Sequence, residues 1–90
     1  MLTTLDTIAN VTPIAGDRLT LVEPEYQSIQ QLPVGQVGTI LEIYPGELPR
    51  YLVEFADLQG YEYAMTMLQP TEVLALHYEL SLVSQVSLFP

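Results

Sequence analysis

The residues best suited to chemistry in this chain are one histidine, His77, and three glutamates, Glu42, Glu54 and Glu62. A lone histidine without a marked nucleophile does not make a catalytic triad. The glutamates fall on the polar faces of neighbouring apolar segments, where carboxylates can bind a divalent cation or act as an acid–base pair. A solvated acidic face explains the same pattern more simply. We therefore predict no catalytic residue, no metal site and no cofactor, and keep a carboxylate–metal enzyme as the least favoured alternative.

Tyrosines form the second group of candidate site residues, six in all, in a chain that has no tryptophan. Tyr26 falls in the first long loop, and Tyr44 and Tyr61 fall at predicted strand ends. Tyrosines beside such a loop can line a groove that docks an extended or proline-rich peptide. Ordinary packing with the hydroxyl at the surface is the alternative, and the missing tryptophan weakens the case for proline-rich ligands.

Eleven acidic residues against two arginines, Arg18 and Arg50, give a net charge of −9. Because a phosphate backbone requires a cationic face, we expect no nucleic-acid ligand. Anionic membrane surfaces are excluded for the same reason, whereas a basic protein would be attracted.

Without cysteine there are no disulfides. No signal-peptide pattern and no apolar run near the roughly 20 residues of a transmembrane helix occur, so we expect a cytoplasmic protein.

The elements that must position these residues are short strands, because proline and glycine interrupt the chain every 8–12 residues or so. A long loop follows the first strand, and a tight 3₁₀-type corner at residues 68–71 precedes the last. This order predicts an all-β fold, a small five-stranded SH3-like barrel, with an OB-fold as the rival. The predicted strands are residues 18–23, 36–44, 50–56, 61–67 and 73–78.

The side-chain pattern predicts the faces of these strands. Residues 50–56 alternate cleanly, with Tyr51, Val53 and Phe55 on one face. In residues 61–67 the same alternation places the tyrosines and methionines opposite Glu62, Ala64 and Thr66. Apolar residues in 36–44 are three apart instead of two, which predicts a β-bulge or sharp bend at Gly38.

A turn at residues 57–60 should connect the third and fourth strands. We expect the Asp57 carboxylate to accept backbone N–H groups there and Gly60 to have a positive φ.

Two segments should lie outside the barrel, which we assign to residues 16–78. Residues 1–15 form an N-terminal extension, whose three-residue apolar spacing permits a short helix but whose threonines favour a packed tail. Residues 79–90 form an apolar C-terminal extension. Leu80 and Leu82 continue the alternation of the last strand, so we favour a strand, with a helix from Thr71 as the alternative. This apolar segment should pack on its own barrel, on residues 1–15 or on another copy of the chain.

Three motifs resemble those of a family of small bacterial proteins of unknown function: GDRLTL at 16–21, GQVGTI at 35–40 and VEFADLQG at 53–60. The resemblance covers roughly residues 17–76. It implies an SH3-like barrel without known catalytic activity, and it implies an antitoxin or immunity role as one possibility.

Together these observations predict a non-enzymatic protein-interaction module that binds a basic protein partner. The alternative is a structural subunit of a homo-oligomer or larger complex that docks through its C-terminal strand. The predicted partner-binding residues are Tyr26, Tyr44, Tyr61, Glu42, Glu54, Glu62, Leu80 and Leu82.

Overall fold

A computed structural model describes residues 2–21 and 30–76 of the chain. The predictions made for Tyr26, His77, Leu80, Leu82 and the extension 79–90 lie outside the described residues. Two one-turn 3₁₀ segments are described, Gly16–Arg18 before β3 and Pro70–Glu72 before β8. The strands described are β1 (Thr7–Asn10), β2 (Ile14–Ala15), β3 (Thr20–Leu21), β4 (Gln31–Leu32), β5 (Val37–Tyr44), β6 (Arg50–Ala56), β7 (Glu62–Leu68) and β8 (Val73–Ala75).

Six of these strands form one antiparallel sheet in the order β3-β7-β6-β5-β1-β8, and β2 pairs with β4 in a separate two-stranded ladder. The all-β prediction is confirmed, but the predicted count of five strands is too low and the sheet is open. Strands β3 and β8 are its edges in the described part of the chain. No helix within that part is long and apolar enough to cross a bilayer.

Strand β1 comes from the segment assigned to the N-terminal extension. It lies between β5 and β8, with Ile8 opposite Gly38 on one side and Ala75 on the other. Ile8 and Asn10 are buried while Thr7 and Ala9 are partly exposed. The burial of residues 7–10 therefore follows the two-residue period of a strand and not the three-residue apolar spacing of a helix. Thr7 and Ile8, both β-branched, favour the strand.

A β-bulge in β5 explains its irregular apolar spacing. The register with β6 shifts between Ile40 and Glu42, so Leu41 is the extra residue. Because of this shift, Ile40 and Ile43 both point inward although they are three residues apart, and Ile43 packs against the core. The prediction of a bulge is therefore right for the strand but wrong for the position, since Gly38 pairs regularly with Phe55.

A second bulge reverses the predicted faces of β7. Phe55 pairs with Ala64, but Ala56 pairs with Glu62, which leaves Tyr63 as the extra residue. Tyr63 and Ala64 are consecutive and both buried. Beyond them Thr66 and Leu68 face inward in place of the methionines, because the bulge shifts the strand by one residue.

The core lies on the inner faces of β1, β5, β6 and β7, closed at one side by β2 and β4. Leu2, Leu19, Leu21, Ile43 and Val73 are partly buried against it. Its buried members are Ile8, Ile14, Leu32, Ile40, Tyr51, Val53, Phe55, Tyr63, Ala64 and Leu68.

An ion pair joins the two edges of the sheet. Arg18 ends the 3₁₀ turn before β3, and Glu72 ends the 3₁₀ turn before β8. The guanidinium donates to both carboxylate oxygens, from Nη1 at 2.7 Å and from Nη2 at 3.0 Å. Nη2 also donates to Met67 O at 3.1 Å, and Arg18 O accepts from Thr66 Oγ1 at 2.8 Å. Arg18 therefore connects the paired strands β3 and β7 to the start of β8, a connection that no backbone ladder makes in the described residues.

Gly38 is required by close packing, and its replacement tests the β5–β6 contact. A Cβ at this position would lie 2.6 Å from Val53 Cγ1 and 3.0 Å from Glu54 O. We expect Gly38→Ala to lower the free energy of unfolding by about 1–3 kcal/mol, because the clash is with buried atoms. Gly46→Ala, where a Cβ meets nothing within 4 Å, should change it by less than about 0.5 kcal/mol. Equal effects in urea unfolding would contradict this packing.

The Arg18–Glu72 pair should give the fold a pH dependence. The hydrogen bonds from Arg18 lower the pKa of Glu72, and a hydrogen bond from the backbone of Gln69 adds to the effect. A lowered folded pKa stabilises the protein above the unfolded value of about 4.3, and this stabilisation is lost as pH falls through the folded pKa.

We therefore expect Glu72→Gln to lower the free energy of unfolding by about 1–2 kcal/mol at neutral pH and by much less near pH 2. Urea unfolding followed by circular dichroism across this range measures both curves. Glu47→Gln, an exposed replacement in the β5–β6 connection, is the control and should follow the wild type. A constant deficit at every pH would assign the effect of Glu72 to packing instead of charge.

Candidate functional site

A groove of about 790 Å³ runs between the segment that enters β5 and the end of β6 with its following turn. Its lining mixes apolar side chains with two carboxylates, Glu54 and Asp57, and contains no basic residue in the described part of the chain. Leu58 is fully exposed at its rim and Val37 is 46% exposed. We call this feature the acidic groove. It is lined by Gln31, Leu32, Pro33, Gly35, Gln36, Val37, Gly38, Thr39, Glu54, Ala56, Asp57, Leu58 and Tyr63.

One wall of the acidic groove, residues 31–36, is held in place by Asn10. This side chain is 1% exposed, and its Nδ2 donates to Thr12 O and Pro33 O, both at 2.9 Å. Its Oδ1 accepts from Gln36 N at 2.7 Å. The Asn10 backbone forms two further bonds, to Gln36 O and from Gly35 N. Both amide atoms are therefore satisfied, and β1 fixes the wall directly.

The opposite wall is the turn after β6, which Asp57 organises. Its Oδ1 accepts from Gln59 N and Tyr61 N, both at 3.0 Å. Its backbone carbonyl accepts from Gly60 N at 2.9 Å, and Gly60 has a φ of +86°. The predicted roles of Asp57 and Gly60 are confirmed. The carboxylate that lines the groove thus also fixes the turn that carries Leu58.

Glu54 and Glu62 form a carboxyl pair beside the groove. Glu62 lies opposite Ala56 in the β6–β7 register, so its side chain is diagonal to that of Glu54 on the outer face. The hydrogen bond to Glu54 raises the pKa of Glu62, with smaller contributions from burial and from the charge of Glu54. The structure therefore brings together two of the three glutamates that the sequence singled out.

The remaining predicted residues lie elsewhere. Glu42 accepts a hydrogen bond from Tyr44 Oη at 2.8 Å, which raises the pKa of the Tyr44 phenol. Tyr44 lies opposite Arg50 at the start of β6, whereas Tyr61 is in the turn beyond its end. Six residues of strand, about 20 Å, separate these ends. Tyr44 and Tyr61 therefore do not line one groove.

Within the described residues, no group of three histidine, cysteine, aspartate or glutamate side chains lies close enough to hold a metal ion. The predictions for Tyr26, Leu80 and Leu82, and with them the role as a structural subunit that docks through residues 79–90, are not tested by the described residues and stay predictions.

The sequence analysis did not identify Asn10, Val37 or Leu58 as site residues. Asn10 interrupts the apolar run from Ile8 to Val11. An amide at a strand position where burial is expected indicates that its polar atoms have hydrogen-bond partners. Leu58 gives the complementary signal, because a large apolar residue at the tip of a turn has no core to enter.

Asn10→Asp tests whether the wall depends on the amide. We expect it to lower the free energy of unfolding by about 3 kcal/mol or more at neutral pH, because a buried carboxylate has no N–H for Thr12 and Pro33. Protonation restores one donor, so the deficit should shrink in acid. Gln31→Glu, which makes the same chemical change at an exposed position of the same wall, is the control and should have little effect. Equal deficits in the two variants would contradict the assigned role.

The comparisons with known proteins give one match. The family model described as a domain of unknown function (DUF4926) matches residues 16–75, a range that includes β3 to β8 and the lining of the acidic groove. Neither the comparison with curated proteins nor the comparison with solved structures gives a match. Because the matched range spans about two thirds of the chain, the protein belongs to the DUF4926 family.

Proposed function

We propose that the protein is a non-enzymatic interaction module that binds a cationic, partly apolar segment of a protein partner in the acidic groove. The observation that carries the proposal is the composition of the groove. Glu54 and Asp57 supply negative charge, Val37 and Leu58 supply exposed apolar surface, and no basic side chain among the described residues opposes a cation. Charge of one sign around an apolar cleft fits a partner of the opposite sign.

The net charge supports the same proposal. At −9 the chain repels polyanions and attracts basic proteins from a distance. Arg18, one of its two cations, is engaged by Glu72. The other, Arg50, is the first residue of β6, whereas the groove lies at the last residues of that strand. Long-range attraction and the local groove charge therefore act in the same direction.

We also propose that the strands form an SH3-like barrel. An SH3-like barrel is supported by the long excursion between β1 and β5 and by the one-turn Pro70–Glu72 corner before the last described strand. In this interpretation β1, and not the segment at 18–23, is the first barrel strand. An antitoxin or immunity role, which the family resemblance implies, is one form that a module for basic partners takes.

A labelled octapeptide of alternating lysine and valine, followed by fluorescence anisotropy, tests the proposal. We expect the peptide to bind more weakly at high salt, and its counterpart with glutamate in place of lysine not to bind. The double variant Glu54→Gln/Leu58→Ser should lose about tenfold in affinity. Amide shifts on binding should concentrate at residues 31–39 and 54–58.

The matched control is Glu47→Gln/Leu48→Ser, which makes the same two changes in the exposed β5–β6 connection outside the groove. It should bind as the wild type does. Equal losses in the two double variants would show that binding follows net charge alone and would overturn the assignment to the groove.

A further inference from the structure

The floor of the acidic groove is the outer face of β5 and β6, where side chains lie in two rows across the strands. Thr39 is opposite Glu54 in the register of the two strands, and we call this pair the charged row. Continuing the register by two residues places Val37 opposite Ala56 on the same face, and we call this pair the apolar row. All four residues line the groove.

The lining beyond the two rows keeps charge and apolar surface apart. Leu58, fully exposed in the turn directly after β6, extends the apolar row. The second carboxylate of the lining belongs to Asp57, and its Oδ1 accepts two N–H groups of its own turn. Glu54 is therefore the carboxylate that we assign to a cation of the partner.

The distance between the rows matches the repeat of an extended chain. Two residues of a strand rise by about 6.6 Å, which separates the charged row from the apolar row. In an extended segment, side chains two positions apart point to the same side with the same spacing. A segment lying along β6 can therefore set one such side chain against each row, while the side chain between them points away from the floor.

We infer that the acidic groove recognises an extended segment in which a lysine or arginine lies two positions from an apolar residue. The cation contacts Glu54 in the charged row, and the apolar side chain contacts Val37 and, beyond it, Leu58. The inference rests on the proposed function and adds to it the pattern of the partner's sequence. A cation and an apolar residue that are direct neighbours point to opposite sides and cannot contact both rows at once.

Two octapeptides of one composition test this spacing, each acetylated and amidated so that its lysine carries the only charge. The first, Thr-Lys-Thr-Val-Thr-Val-Thr-Thr, has lysine and both valines on one side of the extended chain. The second, Thr-Thr-Lys-Val-Thr-Val-Thr-Thr, moves the lysine by one position to the opposite side. Titrations followed by amide chemical shifts, which measure weak binding, should give the first peptide about fivefold higher affinity for the full chain.

Variants of the chain test the assignment to Glu54. Glu54→Gln should bring the ratio of the two affinities below about twofold, because it removes the charge that the lysine contacts. Glu47→Gln, the same change at an exposed position outside the groove, is the matched control and should keep the wild-type ratio. Circular dichroism confirms that all three proteins are folded.

The outcomes separate the inference from the proposed function. If the alternating lysine–valine octapeptide binds in the groove but the two matched peptides bind the wild type equally, the inference is overturned while the proposed function stands. A wild-type ratio that Glu54→Gln leaves unchanged also overturns the inference, since the lysine is then bound elsewhere. If none of the peptides binds, the proposed function fails, and the inference fails with it.

Discussion

The rest of the structure depends on the buried amide of Asn10. This one side chain bonds the backbone at Thr12, two residues away, and at Pro33 and Gln36, which are 23 and 26 residues away in sequence. The Asn10 side chain is itself buried, and a buried amide without these partners would cost more than a typical hydrogen bond contributes. Because Asn10 ends β1, an inner strand of the sheet, the same side chain that anchors the sheet also sets one wall of the acidic groove. The wall at residues 31–36 is therefore tied by hydrogen bonds to an inner strand of the sheet.

The two β-bulges also link the packing of the core to the surface of the site. The bulge at Leu41 lets Ile40 and Ile43 both reach the core from one strand. The bulge at Tyr63 buries an aromatic ring and leaves Glu62 outside next to Glu54. In each case one extra residue shifts which side chains of the strand point inward, and the inner face stays packed. The charged surface of the site is thus a consequence of how the core is filled.

The extent to which the sequence predicts this molecule varies with the element. Strand β6 was predicted to the residue, because it has no bulge and Tyr51, Val53 and Phe55 keep a strict two-residue period. The faces of β7 could not be predicted, because the bulge at Tyr63 is set by pairing with β6 and leaves no mark in local periodicity. Strand β1 was missed for a related reason, since a four-residue strand gives too few alternations to outweigh the three-residue spacing around it.

The ion pair between Arg18 and Glu72 has a consequence for the way the molecule opens. These residues are 54 positions apart in sequence and stand at the two margins of the sheet. Partial unfolding of one margin breaks the contact and removes an anchor from the other, so the two ends should loosen as a single cooperative unit. Amide hydrogens of β3 and β8 would then exchange with solvent at matched rates, although no ladder bond connects the two strands.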